Sequence, residues 1–344
     1  MSRLSTEIHE QPAAIERLLE YETDHVRRLA REMRGKFDYA VIAARGTSDN
    51  AARYAKYLWG AHNQLPVALA TPSLFSLYKA PPRMNGALVV GISQSGQSPD
   101  IVSVITEAAT QGRPTIAITN DAESPLAQAA EHVISLHAGP ELAVAATKTY
   151  TASLAAIALI SALLADDAGQ MDQLRAIPEL MIQNLASLAP VLGKFERYRY
   201  MSRCAVIGRG YNYATAYEIA LKIKELTQVD AQAYSSADFR HGPITMVRES
   251  LPVILLAPNG PVLKDLRALI TDLKRLGAEQ LIISDEATVL GEAHLPLPLP
   301  AGLSESLSPL VAVLPGQLFA MTLAELKGLD PDQPVGLTKV TETL

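Results

Sequence analysis

The chain repeats itself. Arg45-Gly46 and Arg209-Gly210 stand 164 residues apart, as do Gly96 and Gly260, and the apolar stretches around Ile118 and Ile283 stand 165 apart. These landmarks fall at matching places in one alternation of short apolar runs and helical patterns. In the first half, residues 37–44, 86–92, 114–119 and 132–136 read as strands, with helices over 48–60, 99–111, 124–131 and 147–165. In the second half, strands over 203–208, 251–257 and 280–284 alternate with helices over 212–228 and 261–276. Short apolar strands separated by helices predict a parallel sheet covered on both faces. The repeat therefore predicts an α/β chain of two tandem doubly wound domains, each a three-layer α/β/α unit of flavodoxin-like type.

This places a first domain at 35–165 and a second at 201–329, joined by a helical linker over 166–200 that carries Pro178 and Pro190. Residues 1–34 read as an amphipathic helical segment, and 330–344 as a loop-like tail. A length of 344 residues suits two such domains, and 48% hydrophobic with 19% charged residues is the composition of a globular enzyme. A formal charge of −6 without a basic block argues against a nucleic-acid partner. The single Cys204 excludes an internal disulfide; it reads as a buried thiol in a reducing, cytoplasmic setting. No hydrophobic signal core opens the chain. The most apolar stretch, 150–165, contains Thr151, Ser153 and Ser161 and reads as a buried helix, not a membrane span. The seven histidines show no metal-ligand spacing, so neither a metal nor another cofactor is expected.

Chemistry concentrates where strands end. The run Leu88–Ile92 stops in Ser93-Gln94-Ser95-Gly96-Gln97-Ser98, and Pro99 then opens a helix. Hydroxyls, backbone N–H groups and a helix N-terminus around one point favour a dianion such as a sugar phosphate. The plainer alternative is an ordinary capped helix start, with Ser98 as N-cap and Pro99 at the first helical position. Gly46-Thr47-Ser48 makes a second hydroxyl-rich turn, and in a parallel sheet the two turns emerge on the same edge. Its plainer alternative is again N-capping by Thr47 and Ser48. The second half has Ala257-Pro258-Asn259-Gly260 in place of Ser93-Gln94-Ser95-Gly96, which predicts one phosphate site per chain.

Further candidates follow along the chain. Val144-Ala145-Ala146-Thr147-Lys148 opens the long apolar helix, and Lys148 there opposes the helix dipole unless an ion pair holds it. Glu218, Lys222 and Glu225 are spaced i, i+4 and i+7, so they share one helix face. Acid, base and acid in a row can hold a carboxylate for proton transfer; the alternative is a solvated salt-bridge stripe. His241, in Phe239-Arg240-His241-Gly242-Pro243, has the side chain suited to shuttling protons near neutral pH, although a lone loop histidine is more often structural. By the same reasoning Lys339 alone would be a routine surface lysine.

Taken in order, these motifs, followed by Ala233-Tyr234, His241-Gly242-Pro243 and Gln333-Pro334…Leu337-x-Lys339, resemble the isomerase half of glucosamine-6-phosphate synthase, built from two sugar isomerase (SIS) domains. The resemblance spans nearly the whole chain. It implies that Ser48, Ser93, Gln94, Ser95 and Ser98 hold the phosphate, that Gly46 and Thr47 belong to the same substrate-binding set, and that Val144 and Ala145 line the sugar through backbone groups. It implies that Glu225 moves the proton between C1 and C2, supported by Lys222 and Glu218. His241 would assist ring opening at the site of a neighbouring subunit, which implies a homodimer, and Lys339 would meet the open-chain carbonyl. The synthase's glutaminase domain has no counterpart here, so ammonia release from glutamine is not expected of this chain. Stand-alone relatives include glucosamine-6-phosphate deaminases, deglycases and isomerases.

The resulting expectation is an amino-sugar phosphate isomerase or deaminase acting on glucosamine 6-phosphate or another hexose 6-phosphate, without a membrane or nucleic-acid partner. Four positions depart from the synthase pattern: Gln97 for glutamate, Ala146 for serine, Arg45 for cysteine and Val335 for arginine. Arg45 and Val335 would flank the sugar's substituent, which motivates an alternative, a deglycase acting on a ketosamine 6-phosphate. A sugar-phosphate-binding regulator without catalysis is the third reading.

Overall fold

The computed structural model describes residues 2–339 and contains two five-stranded parallel sheets. The first is built from β1 (Tyr39–Ala43), β2 (Val67–Leu69), β3 (Ala87–Ser93), β4 (Thr115–Thr119) and β5 (His132–Ser135), in the order β2-β1-β3-β4-β5. The second is built from β6 (Arg203–Gly208), β7 (Asp230–Ser235), β8 (Pro252–Leu256), β9 (Glu279–Ser284) and β10 (Leu295–Pro298), in the order β10-β9-β8-β6-β7. Read from β7, the second order is the first. The strand order turns between β1 and β3 in one sheet and between β6 and β8 in the other.

The helices are α1 (Arg3–His9), α2 (Gln11–Met33), α3 (Gly46–His62), α4 (Ser73–Ser76), α5 (Pro99–Thr110), α6 (Pro125–Ala129) and α7 (Lys148–Ala165). They continue with α8 (Ala168–Leu188), α9 (Asn212–Thr227), α10 (Ser236–Arg240), α11 (Leu263–Arg275), α12 (Ala287–Leu290) and α13 (Ser308–Leu326). The N-terminal segment, expected as one helix, is two. The expected linker is α8, which retains Pro178, followed by a 3-10 segment over Ala189–Tyr198.

All seven residues of β3 are buried, as a central strand of a doubly covered sheet requires. On one face, Val89, Ala117, Ile101, Val104, Ile105 and Leu126 pack β3 and β4 against α5 and α6. The matching core of the second sheet joins Ile207, Val253, Leu255 and Ile282 to Leu266, Leu269 and Ile270 of α11. On the other face of the first sheet α7 packs on α3, and the Trp59 indole donates to the Ile157 carbonyl at 3.1 Å. In the second, α13 packs on α9, and Gly316 permits the approach because a Cβ there would overlap Ile219. The two helices long and apolar enough for a membrane span, α7 and α13, are 89% and 83% buried over those windows, so α7 is the core helix its sequence predicts. Cys204 is buried as expected, and burial pushes its thiol up to about 12.

The chain divides into two compact units, and neither is continuous. One comprises 13–141, 148–175 and the described residues 338 and 339; the other comprises 2–12, 142–147 and 176–337. Each unit contains one sheet.

Candidate active site

In the first unit β1 pairs directly with β3, Ala43 opposite Gly91, so the loops after them leave the sheet side by side at its switch point. Gly46 takes φ +53, a left-handed value that glycine adopts without steric cost, and starts α3 with Thr47 and Ser48 in its first turn. Arg45 holds the N-cap position and its side chain makes no capping bond, so neither Thr47 nor Ser48 is the N-cap residue. In the second loop the Ser93 hydroxyl accepts the Gly96 N–H at 3.1 Å, and the Ser95 hydroxyl accepts the Gln97 N–H at 3.3 Å. Gly96, at φ +63, lies so close to Ser124 that a Cβ would overlap its hydroxyl. Ser98 occupies the N-cap position of α5 with Pro99 after it, yet its hydroxyl makes no capping bond. Ser98 and Pro99 thus take the N-cap and first helical positions that the ordinary-cap alternative gives them, while Thr47 and Ser48 lie inside the first turn of α3.

These two loops are clamped together. Asp100, in the first turn of α5, is fully buried; its Oδ2 accepts the Arg45 Nε–H at 2.7 Å, and its Oδ1 accepts the Ile101 N–H at 2.9 Å. Arg45 therefore has a structural partner, which weakens the argument that it was placed to meet a sugar substituent. Val335, the other residue in that argument, is 76% exposed.

Lys339 is not a routine surface lysine. Its Nζ lies 3.0 Å from Glu141 Oε2, and the Glu141 side chain is sealed from solvent. Glu141 also accepts the Thr149 N–H at 3.1 Å and the Thr149 hydroxyl at 2.7 Å. An unpaired carboxylate at that depth would be costly, so the contacts fix both the start of α7 and the end of the described chain. Lys148 beside it is 3% exposed, so a surface ion pair does not explain it.

In the second unit, α9 carries the acid–base–acid face. Lys222 Nζ lies 2.5 Å from Glu225 Oε2 and 3.5 Å from Glu218 Oε1. The side chains of Glu218, Lys222 and Glu225 are 0%, 2% and 22% exposed, so a solvated stripe is excluded. Of the three, Glu225 alone reaches solvent, with its Oε2 held by the ammonium. The loop with Val144 and Ala145 belongs to this unit and is held by Glu7 of α1, whose carboxylate accepts the Leu142 N–H at 2.5 Å and the Ala143 N–H at 3.3 Å. His241 caps the C-terminal end of α10 through its backbone, its side chain exposed and its ring unpaired among the described residues.

The single-chain geometry thus assembles Gly46, Thr47, Ser48, Ser93, Gln94, Ser95 and Ser98 at one crevice, with Lys339 in the same unit. It assembles Glu218, Lys222 and Glu225 on one buried helix face. Asp100, Glu141 and Glu7 were not found from the sequence, although Asp100 and Asp265 nearly obey the repeat offset.

The model of one family, the SIS domain, matches residues 38–163 and 199–324. The chain belongs to the SIS-domain family. Among curated relatives, glutamine--fructose-6-phosphate aminotransferase [isomerizing] of Thermus thermophilus is 34% identical over 97% of this chain and 57% of its own length. The chain spans a little over half the length of such relatives. Among solved structures, a putative phosphosugar isomerase from Silicibacter pomeroyi DSS-3 is 34% identical with a TM-score of 0.87, covering 96% of this chain and all of that one. The C-terminal domain of glucosamine-fructose-6-phosphate aminotransferase from Francisella tularensis is 26% identical with a TM-score of 0.87, covering 97% and 98%. The two matched stretches contain the serine-rich loops of the first SIS domain and the Glu218–Lys222–Glu225 row of the second.

Proposed function

We propose that this SIS chain interconverts glucosamine 6-phosphate with fructose 6-phosphate and ammonia. The observation that carries the reading is the buried Glu218–Lys222–Glu225 row, which leaves a single oriented carboxylate open to a substrate. The serine-rich crevice of the first SIS domain supplies the anchor for the 6-phosphate through Ser48, Ser93, Ser95 and Ser98 and the N-terminus of α5. Gln94 joins those serines at the phosphate, and the backbone of Val144 and Ala145 lines the sugar.

With the ring opened, a proton passing from the O1 hydroxyl to O5, the Glu225 carboxylate takes the C2 proton and returns it to C1. The double bond moves from C1–O1 through an enolamine to a C2 iminium, O1 gaining the proton that the C2 ammonium gives up. The Lys339 amine adds to C2, ammonia leaves, and water hydrolyses the lysine imine to release fructose 6-phosphate. Glu141 presents that lysine. His241 of a neighbouring subunit serves ring opening, so the working form in this reading is a homodimer.

The test is ammonia release from glucosamine 6-phosphate, together with fructose 6-phosphate plus ammonium in reverse. Turnover in both directions that disappears in Glu225→Gln supports the assignment. A folded protein inert toward both substrates, yet active on a ketosamine 6-phosphate, would replace it with the deglycase reading.

A further inference from the structure

The duplication gives the first crevice a counterpart in the second SIS domain, and one matched pair of residues has diverged in use. Glu141 and Glu305 are 164 residues apart, the offset that also relates Gly46 to Gly210 and Gly96 to Gly260. The Glu141 carboxylate is saturated by Thr149 and Lys339. Glu305 turns instead into the crevice of its own sheet. Its Oε1 lies 3.5 Å from the place of a Cβ on Gly210, and its Oε2 and Cδ fill the space a Cβ on Gly260 would need. These glycines belong to the loops after β6 and β8, the strands between which the order turns, where an open α/β sheet takes its ligand. Half-buried there, the Glu305 carboxyl is pushed above the usual range by burial, and it raises the Tyr211 hydroxyl together with burial. No donor or cation among the described residues is hydrogen-bonded or ion-paired to this carboxylate.

We propose that Glu305 bars anions from the second crevice and so fixes one phosphate site per chain. The proposal rests on the reading that the first crevice binds the phosphate. Much of the cradle survives around Glu305. The sixteen-residue helix α9 still begins after the first loop, and Arg209 stands where the first domain has Arg45. Arg209 keeps the corresponding acidic partner, with NH1 3.7 Å from Asp265 Oδ2. The missing elements are Ser93, Gln94 and Ser95, whose places are taken by Ala257, Pro258 and Asn259, and room for a dianion beside a carboxylate. An anion admitted there would rest on the guanidinium and the helix end, and bind more weakly than in the first crevice. The carboxylate excludes it both by filling the space and by like-charge repulsion at close range.

The experiment is calorimetric titration of the full chain with inorganic phosphate. Wild type takes up one equivalent, and Glu305→Ala takes up two, the second at least tenfold weaker. Glu305→Gln, which removes the charge and keeps the shape, gives the same gain with a smaller second affinity and serves where Ala compromises folding. Ser95→Glu, which moves a carboxylate into the first crevice, abolishes the wild-type equivalent and leaves one in the double variant with Glu305→Ala. A folded Glu305→Ala or Glu305→Gln protein that still binds one equivalent overturns the proposal. Wild type that binds none while Glu305→Ala binds one overturns the phosphate reading of the first domain and leaves the role of Glu305 standing.

Discussion

The two SIS domains share a strand order, a pair of left-handed or strained-turn glycines and an arginine–aspartate clamp, and they differ in the side chains set on that frame. Around Gly46 and Gly96 stand Ser48, Ser93, Ser95 and Ser98; around Gly210 and Gly260 stand Ala257, Pro258, Asn259 and the carboxylate of Glu305. The helices that follow the first strand of each domain differ in the opposite sense. Where α9 has Glu218, Lys222 and Glu225, the positions 164 residues earlier in α3 hold Tyr54, Leu58 and Ala61. One domain thus carries hydroxyls at its crevice and the other an acid–base row on its helix. The backbone supplies the crevice in both, and a handful of side chains decides what each can do.

The largest effect expected from breaking this division is at Glu225. Glu225→Gln should lower kcat about 10²–10⁴-fold, the range for loss of a general base, with little change in melting temperature. Unchanged turnover in that variant removes α9 from the chemistry. The next effect compares the two clamps. Asp100 is fully buried and the Asp265 side chain is 33% exposed, so Asp100→Asn should cost about 2 kcal/mol in urea unfolding and Asp265→Asn about half that or less. Equal losses would mean that the clamps do the same work despite their different burial.

A smaller difference is expected in binding. Ser95→Ala should raise KM for the sugar phosphate by about fivefold, near the value of one hydrogen bond, whereas Asn259→Ala leaves it unchanged. A rise in both variants would assign phosphate to both domains. The smallest effect is a pH dependence. Burial pushes the Asp265 carboxyl up, but the Ser236 hydrogen bond and the charges of Arg240 and Arg209 outweigh it, and the net shift is downward. Its contribution is therefore present above the unfolded value of about 4 and is lost as pH falls through the lower folded value. The stability gap between wild type and Asp265→Asn should close in acid unfolding below about pH 4, and a gap that persists there would assign the stabilisation to something other than this carboxylate's charge.

The core strands were legible as short apolar runs, and the crevices because β1, β3, β6 and β8 reach a glycine within a few residues of their ends. Three strands were not. β2 has three residues, β7 (Asp-Ala-Gln-Ala-Tyr-Ser) alternates polar and small side chains, and β10 reads Leu-Pro-Leu-Pro, which only an edge tolerates. α13 is obscured by Pro309, Pro315 and Gly316 within an almost wholly apolar run that has no polar face to set a period. In the candidate site, residues with reactive side chains were visible and their holders were not. Asp100, Glu141 and Glu7 act through partners 55, 198 and 135 residues away in sequence, a proximity that only folding creates.

The discontinuity of the two units has a consequence for how such a protein can be taken apart. A cut between α7 and the second sheet, the natural place to separate two halves of a duplicated gene, leaves 2–12 and 142–147 on the wrong fragment. The second half expressed alone would lack α1, whose Gln11 amide is bonded to Gln317 of α13 at 2.8 Å, and would expose the apolar side of α13. Such fragments should be recovered as insoluble or mutually dependent pieces that refold only when mixed. The two units are thus distinct in the fold, yet no single cut in the sequence separates them.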